Sequence, residues 1–482
     1  MLNYKVIFKI IGFLLILDGL FMFAGIPFSL YYNDNDVFTL LACGAGTSLI
    51  GLVTFYLTRN TDKEIRKREG YIVVSLGWVA MSIFGALPFV IHGSIPNYTD
   101  AFFETMSGFT TTGASILNDI ESLPHGLLLW RSLTQWIGGM GIIVLSLAIL
   151  PILGIGGMQM FAAEVPGPTK DKIHPRVRET AKRLWGIYLL FTLLEVFLLM
   201  LGGMNFFDSI NHSFTTMATG GFSTKQASIA HYQSPYIHYI IIIFMFIAGT
   251  NFTLHYHILH GKISVLRKNA EFKFYLKIVI VAALAVSTAL IVMNIYGVEK
   301  SFRDSLFQVV SIITTTGFIT ADYEIWGSFF QVFFFLLLFV GGCAGSTGGG
   351  IKVVRHYLLV KNGFSELRRL IHPRAVIPVR YNNQSVPNEI ISNVMAFFLF
   401  YIFIFVIGTM VMSLVGLDFL SAMGSVATSI GNVGPAIGSV GPSFNFSHIP
   451  DFGKWFLSFL MLMGRLELFT VLLIFSPAFW KS

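Results

Sequence analysis

Asp100-Ala-Phe-Phe-Glu-Thr-Met-Ser-Gly-Phe-Thr-Thr-Thr-Gly113 is the stretch that decides the fold. It begins on an acid and ends on a polar, glycine-terminated tetrad, inside an otherwise strongly apolar chain. The pattern returns three times. Asp208 precedes Gly221 and Asp304 precedes Gly317 by 13 residues, as Asp100 precedes Gly113. The fourth copy is looser, with Asp418 13 residues before Gly431 and 16 before Gly434. The four polar ends read Thr110-Thr111-Thr112-Gly113, Ala218-Thr219-Gly220-Gly221, Thr314-Thr315-Thr316-Gly317 and Gly431-Asn432-Val433-Gly434.

Backbone without regular hydrogen bonds survives at membrane depth only where it is buried in protein or lines a watery cavity. A segment of about 12 residues is too short to cross a hydrocarbon core, which takes roughly 20 helical residues. The repeating unit is therefore spanning helix, half-helix, polar loop, spanning helix, at intervals of roughly 100 residues. An Asp at the start of each half-helix can cap its free N–H groups. The other end carries about half a negative charge and unbonded carbonyls. Four such ends on one axis attract a cation, and glycine tolerates the positive φ that turns carbonyls to one side. Carbonyl rings of this kind replace an ion's hydration shell. Ordinary exposed Thr/Gly loops are the competing reading, and four copies with matched flanks speak against it.

The composition agrees with a polytopic all-α membrane protein: 54% of residues are hydrophobic and 12% charged, with a mean hydropathy of +0.72. Spans are expected near 7–31, 37–58, 71–92, 126–150, 184–204, 235–260, 275–297, 326–360, 389–415 and 453–476. The net charge of +7 does not point to nucleic acid, because 23 of the 32 Lys and Arg fall in the connections 59–70, 151–183, 261–277 and 352–380. Those loops are then cytoplasmic, and so are both termini, which fits ten spans. Arg131, Lys225, Lys300, Arg303 and Lys454 fall on the opposite side. Lys5 and Lys9 precede an apolar run that is long for a signal peptide, so it reads as a retained helix. Cys43 and Cys343 lie in apolar segments and read as structural thiols. The chain divides into two N-terminal helices with a basic loop (1–70) and four pore repeats (71–183, 184–274, 275–388 and 389–482).

Two interruptions stand out. The eighth span is unusually long and contains Gly341, Gly342, Gly345, Gly348, Gly349 and Gly350 within ten residues, too many for a helix. It reads as a flexible break, or else as a close-packing face between helices. Arg465 lies within the last span, where an ionisable residue marks a pathway by default. Its charge would be a barrier to cations, offset by the glycine-rich loop or by Glu467. Weaker signals are His257 and His260, with no carboxylate or Cys beside them for a metal. Asp18 and Glu195 are expected to be buried and hydrogen-bonded, with proton coupling as the sharper alternative. Glu104 reads either as enriching cations at a mouth or as simply solvated there. The basic segment 361–388 could meet anionic lipid or a cytoplasmic partner. No catalytic constellation at usable spacing points to an enzyme.

As a set, the four polar stretches, the glycine-rich break and Arg465 resemble the Trk/Ktr/HKT superfamily of potassium transport proteins, in the bacterial TrkH/TrkG branch, over essentially the whole chain. The resemblance implies an inner-membrane potassium uptake protein with no covalently bound cofactor and potassium itself in the pore. It implies a filter at Thr111, Thr112, Gly113, Thr219, Gly220 or Gly221, Thr315, Thr316, Gly317, Asn432, Val433 and Gly434. Gly113, rather than the Ser of many sodium-transporting relatives, implies potassium selectivity. The glycine-rich loop and Arg465 would gate permeation below the filter. A homodimer controlled by a cytosolic nucleotide-binding ring of the TrkA type is implied as well. A proton- or sodium-coupled symporter is the alternative, although four copies in one orientation favour a channel-like pore over inverted repeats.

Overall fold

The computed structural model describes residues 2–60, 67–148 and 173–480, so parts of the basic connections 59–70 and 151–183 lie outside the described residues. Among the described residues six helical segments are long and apolar enough to cross a membrane: Tyr4–Tyr32, Val37–Leu57, Arg68–His92, Thr180–Leu201, Ala270–Val292 and Asn388–Leu414. His125–Ala148 is a further long helix. Large apolar side chains such as Leu49, Leu284, Ile402 and Met410 stand exposed on these helices. A continuous apolar exterior of this kind belongs in lipid.

Three expected spans are not continuous helices. Pro235–Ala248 and Phe252–Leu259 meet at 104°, and Asp451–Arg465 and Phe469–Phe475 meet at 117°. The first break has a visible cause, since Asn251 caps the second helix by accepting from the Thr253 N–H at 2.7 Å. The second turns through Glu467 and Leu468, both in the left-handed region (φ 59° and 47°). The long eighth span is a helix only over Ser328–Leu337 and again over Val353–Ile371, with irregular chain between.

The half-helices are Tyr98–Phe109, Phe206–Met217, Val298–Ile313 and Phe419–Gly431, deeply buried toward their C-terminal ends. The expected Asp caps hold in one copy only. Asp418 caps the fourth, where its carboxylate accepts from the Ser421 N–H at 3.3 Å, and hydrogen bonding by Ser421 holds that carboxyl below its usual range. The first two are capped by Asn97 and Asn205, three residues before Asp100 and Asp208. The third starts early enough that Asp304 sits buried in its middle turn. Lys454 pairs with Asp100 at 2.5 Å, tying the last long helix to the first half-helix and closing the circle of repeats.

Cys43 and Cys343 are free and buried. Thiol reactivity requires access, so a membrane-impermeant maleimide is expected to leave the folded protein unlabelled and to modify both thiols after denaturation. Labelling of the native protein, read by mass spectrometry, would contradict this packing.

Candidate functional site

Each half-helix runs into the same backbone motif. Thr111, Thr219, Thr315 and Asn432 have φ of 51°, 54°, 59° and 53°, and two residues later Gly113, Gly221, Gly317 and Gly434 have φ of 81°, 76°, 81° and 100°. Between them stand Thr112, Gly220, Thr316 and Val433, none of which has positive φ. Such alternation turns successive carbonyls toward one face of the ribbon instead of alternate faces. It also settles the equivalence in the second copy: Gly221, not Gly220, corresponds to the other three glycines.

The four motifs close on one another. A Cβ placed on Gly113 would lie 2.1 Å from the Gly220 carbonyl oxygen, one on Gly221 would lie 1.9 Å from that of Thr316, and one on Gly317 would lie 2.0 Å from that of Val433. On Gly434 it would lie 2.9 Å from the carbonyl oxygen of Thr112. Each glycine thus abuts the residue before the next one, in the order first, second, third, fourth and back to first. All four glycines line one pocket, which Ser115, Arg131, Ser223, Lys225 and Gln226 also line and to which no carboxylate among the described residues contributes.

The hydroxyls of Thr112 and Thr316 are tied to those of Thr110 and Thr314, each at 2.8 Å. In the fourth copy Thr428 donates to the Gly434 carbonyl at 2.9 Å, and Asn432 donates to Thr112 Oγ1 at 3.0 Å and to the Met461 carbonyl at 2.9 Å. The side chains thus largely brace the ring.

Glu104 is not a mouth residue. It is 1% exposed and accepts from Arg131 Nε at 2.7 Å and from the Ile116 N–H at 2.9 Å. Arg131, counted among loop cations from the sequence, is itself buried, donates to the Ser223 carbonyl at 3.0 Å and lies 3.6 Å from the Phe222 ring centroid. Asp18 and Glu195 are buried as expected. Among the described residues no group meets hydrogen-bond geometry at the Asp18 carboxyl, while the Glu195 carboxyl faces Thr216. Among the described residues no group of three or more His, Cys, Asp and Glu is placed to hold a metal ion.

The glycine-rich loop crosses the C-terminal ends of the half-helices. The Gly349 N–H donates to Thr315 Oγ1 at 2.7 Å, and Thr347 Oγ1 donates to the Met217 carbonyl at 3.0 Å. A Cβ on Gly349 would meet Asn432 at 2.7 Å. The loop is pinned from outside as well. Gly341 donates to Ile351, Gly342 accepts from Val353, Gly345 accepts from Phe252, and the Ala344 N–H donates to Glu271 at 2.7 Å. Gly345 and Gly350 have positive φ.

Two buried cations complete this layer. Arg465 donates to the Thr347 carbonyl at 2.7 Å and to the Gly138 carbonyl at 3.0 Å. Lys352, which sequence reasoning passed over as one more positive-inside charge, donates to the Gly348 carbonyl. Glu467 does not offset Arg465. It pairs with Arg355 at 2.5 Å, so among the described residues Arg465 has no carboxylate at ion-pair distance.

Comparison with known proteins agrees with this architecture. The family model described as TrkH, cation transport protein, matches residues 38–482. The chain is 42% identical to the Trk system potassium uptake protein TrkH of Salmonella typhimurium, with all of both chains covered. It is 35% identical to the Trk system potassium uptake protein TrkG of Escherichia coli, covering all of this chain and 99% of that one. The crystal structure of the potassium transporter TrkH from Vibrio parahaemolyticus superposes with a TM-score of 0.92 at 38% identity, over the full length of both.

Proposed function

The chain belongs to the TrkH family of cation transport proteins, a potassium uptake family and not an enzyme family, and we propose that it passes potassium through a single channel-like pore at the ring of Gly113, Gly221, Gly317 and Gly434. The observation that carries this reading is the closure of four backbone motifs around one pocket. Main-chain oxygens of Thr112, Gly220, Thr316 and Val433, with their neighbours, take the place of water around the ion. Negative half-helix ends favour a cation there.

The glycine-rich loop, with Arg465 and Lys352, is the closed gate. It stands where an ion leaving the ring would pass, and it adds positive charge at that point. In the bacterial inner membrane the basic loops and both termini face the cytoplasm. The protein works as a homodimer, and a cytosolic nucleotide-binding ring of the TrkA type moves the loop. Potassium and the lipid bilayer are its further partners.

Coupled symport is the second reading, and the buried carboxyls of Asp18 and Glu195, neither paired with a cation among the described residues, are the features in its favour. Purified protein in liposomes separates the two. Reversal potentials that follow the potassium gradient alone support the pore, and potentials that move with imposed pH or sodium gradients overturn it.

The same preparation tests the filter. Gly113→Ser puts a side chain into left-handed backbone and against the Gly220 carbonyl. Preference for potassium over sodium is expected to fall roughly tenfold, equivalent to about 1.4 kcal/mol. An unchanged preference removes Gly113 from the filter.

A further inference from the structure

We propose that Gln135, in the helix His125–Ala148, is a specificity-determining positioning residue that substitutes for the side chain missing from the second rung of the ring. The inference rests on the filter reading above. In the other three copies the residue before the glycine carries a side chain, and in the two threonine copies that side chain is anchored by a hydroxyl bond. Gly220 has none. A Cβ there would lie 2.3–2.7 Å from Cδ, Oε1 and Nε2 of Gln135, so the carboxamide fills that space.

Gln135 is fully buried and satisfied at both ends. Its Nε2 donates to the Gly220 carbonyl at 2.7 Å, and its Oε1 accepts from the Phe222 N–H at 3.0 Å. The two bonds bracket Gly221 and fix the peptide planes on either side of it. A carbonyl oxygen has two lone pairs, so the bond to Gln135 leaves the Gly220 oxygen one for an ion. One turn earlier on the same helix, Arg131 holds the Ser223 carbonyl and the Phe222 ring. Through Glu104, Arg131 also holds the Ile116 N–H that follows the first rung. The helix is therefore a splint along the second rung, and Gln135 is the part that touches the ring. The neutral carboxamide does this without adding charge beside the ion path.

The test is the ratio of potassium to sodium flux in liposomes, for variants that remain monodisperse in detergent. Gln135→Met keeps the volume and removes both bonds that hold the second rung, so the ratio is expected to fall about tenfold, equivalent to about 1.4 kcal/mol. Gln135→Glu keeps an acceptor for Phe222 but sets an oxygen against the Gly220 carbonyl, and is expected to fall at least as far. Folded Met and Glu variants with the wild-type ratio overturn the proposal. Should both fail to fold, the double variant Gln135→Ala with Gly220→Thr supplies a side chain at the rung itself. It is accommodated because Gly220 lacks positive φ. The ratio is then expected to recover relative to Gln135→Ala alone, and no recovery overturns the proposal. A wild-type protein without potassium preference is a different failure, since it removes the filter reading itself.

Discussion

Gly221→Ala is expected to abolish potassium uptake, with a loss of at least about a hundredfold in liposome flux. Two costs combine. The residue sits at φ 76°, where a Cβ is strained, a penalty of order 1–3 kcal/mol. The new methyl would also stand 1.9 Å from the Thr316 carbonyl oxygen, and that atom is backbone, with no rotamer to yield. Relief requires moving the third rung, which displaces the oxygens proposed to face the ion. About 2.7 kcal/mol on the transport barrier is a hundredfold, so even partial relief leaves little flux. Gly220→Ala is the control. Its methyl meets the Gln135 side chain rather than backbone, and Gly220 has no positive φ, so a smaller loss is expected. Equal losses at the two positions would contradict the assignment of Gly221 to the ring.

Arg465→Ala is expected to raise flux in the absence of any regulatory partner. A unit charge about 5 Å from a passing cation costs roughly 3 kcal/mol at an effective dielectric constant of 20, which corresponds to more than about a hundredfold in rate if wholly realised. Loss of the bond to the Thr347 carbonyl also frees the loop on the side facing the ring. Deleting Gly348–Gly350 removes the loop's contact with Thr315 and is expected to act in the same direction. Rubidium uptake by purified protein is the measurement. Wild-type flux in both variants would end the reading of this layer as a gate. Because Glu467 is engaged with Arg355, Glu467→Gln is not expected to reproduce the effect of Arg465→Ala.

The half-helix and its polar end were legible because they repeat: one Thr-Gly stretch means little, and four with a leading Asp at matched spacing define a unit. What each Asp does was not legible, because capping depends on where the helix begins, and Asn97 and Asn205 compete for that position. The second rung was ambiguous for a related reason. Asp spacing favours Gly221 and the Thr-Gly step favours Gly220, and the partner that distinguishes them, Gln135, lies 85 residues away. Window-averaged hydropathy hides the breaks at 249–251 and 466–468, since the helices flanking each break are apolar enough to pass together as one span. Asn251 gave a local cue as a helix cap. Glu467 and Leu468 gave none, for neither residue type favours left-handed backbone. Counting charges by loop placed Arg131 at the surface. Only the packed structure brings it onto Glu104, which removes the one carboxylate that the sequence had offered to the mouth.

Since the ring of four rungs belongs to one polypeptide, a single codon change alters one quarter of it. In an assembly of four identical subunits the same mutation would strike every quarter at once. Each quarter can therefore change on its own, and the four copies are already unlike, with Asn432 where the others carry Thr and Gly220 where they carry a side chain.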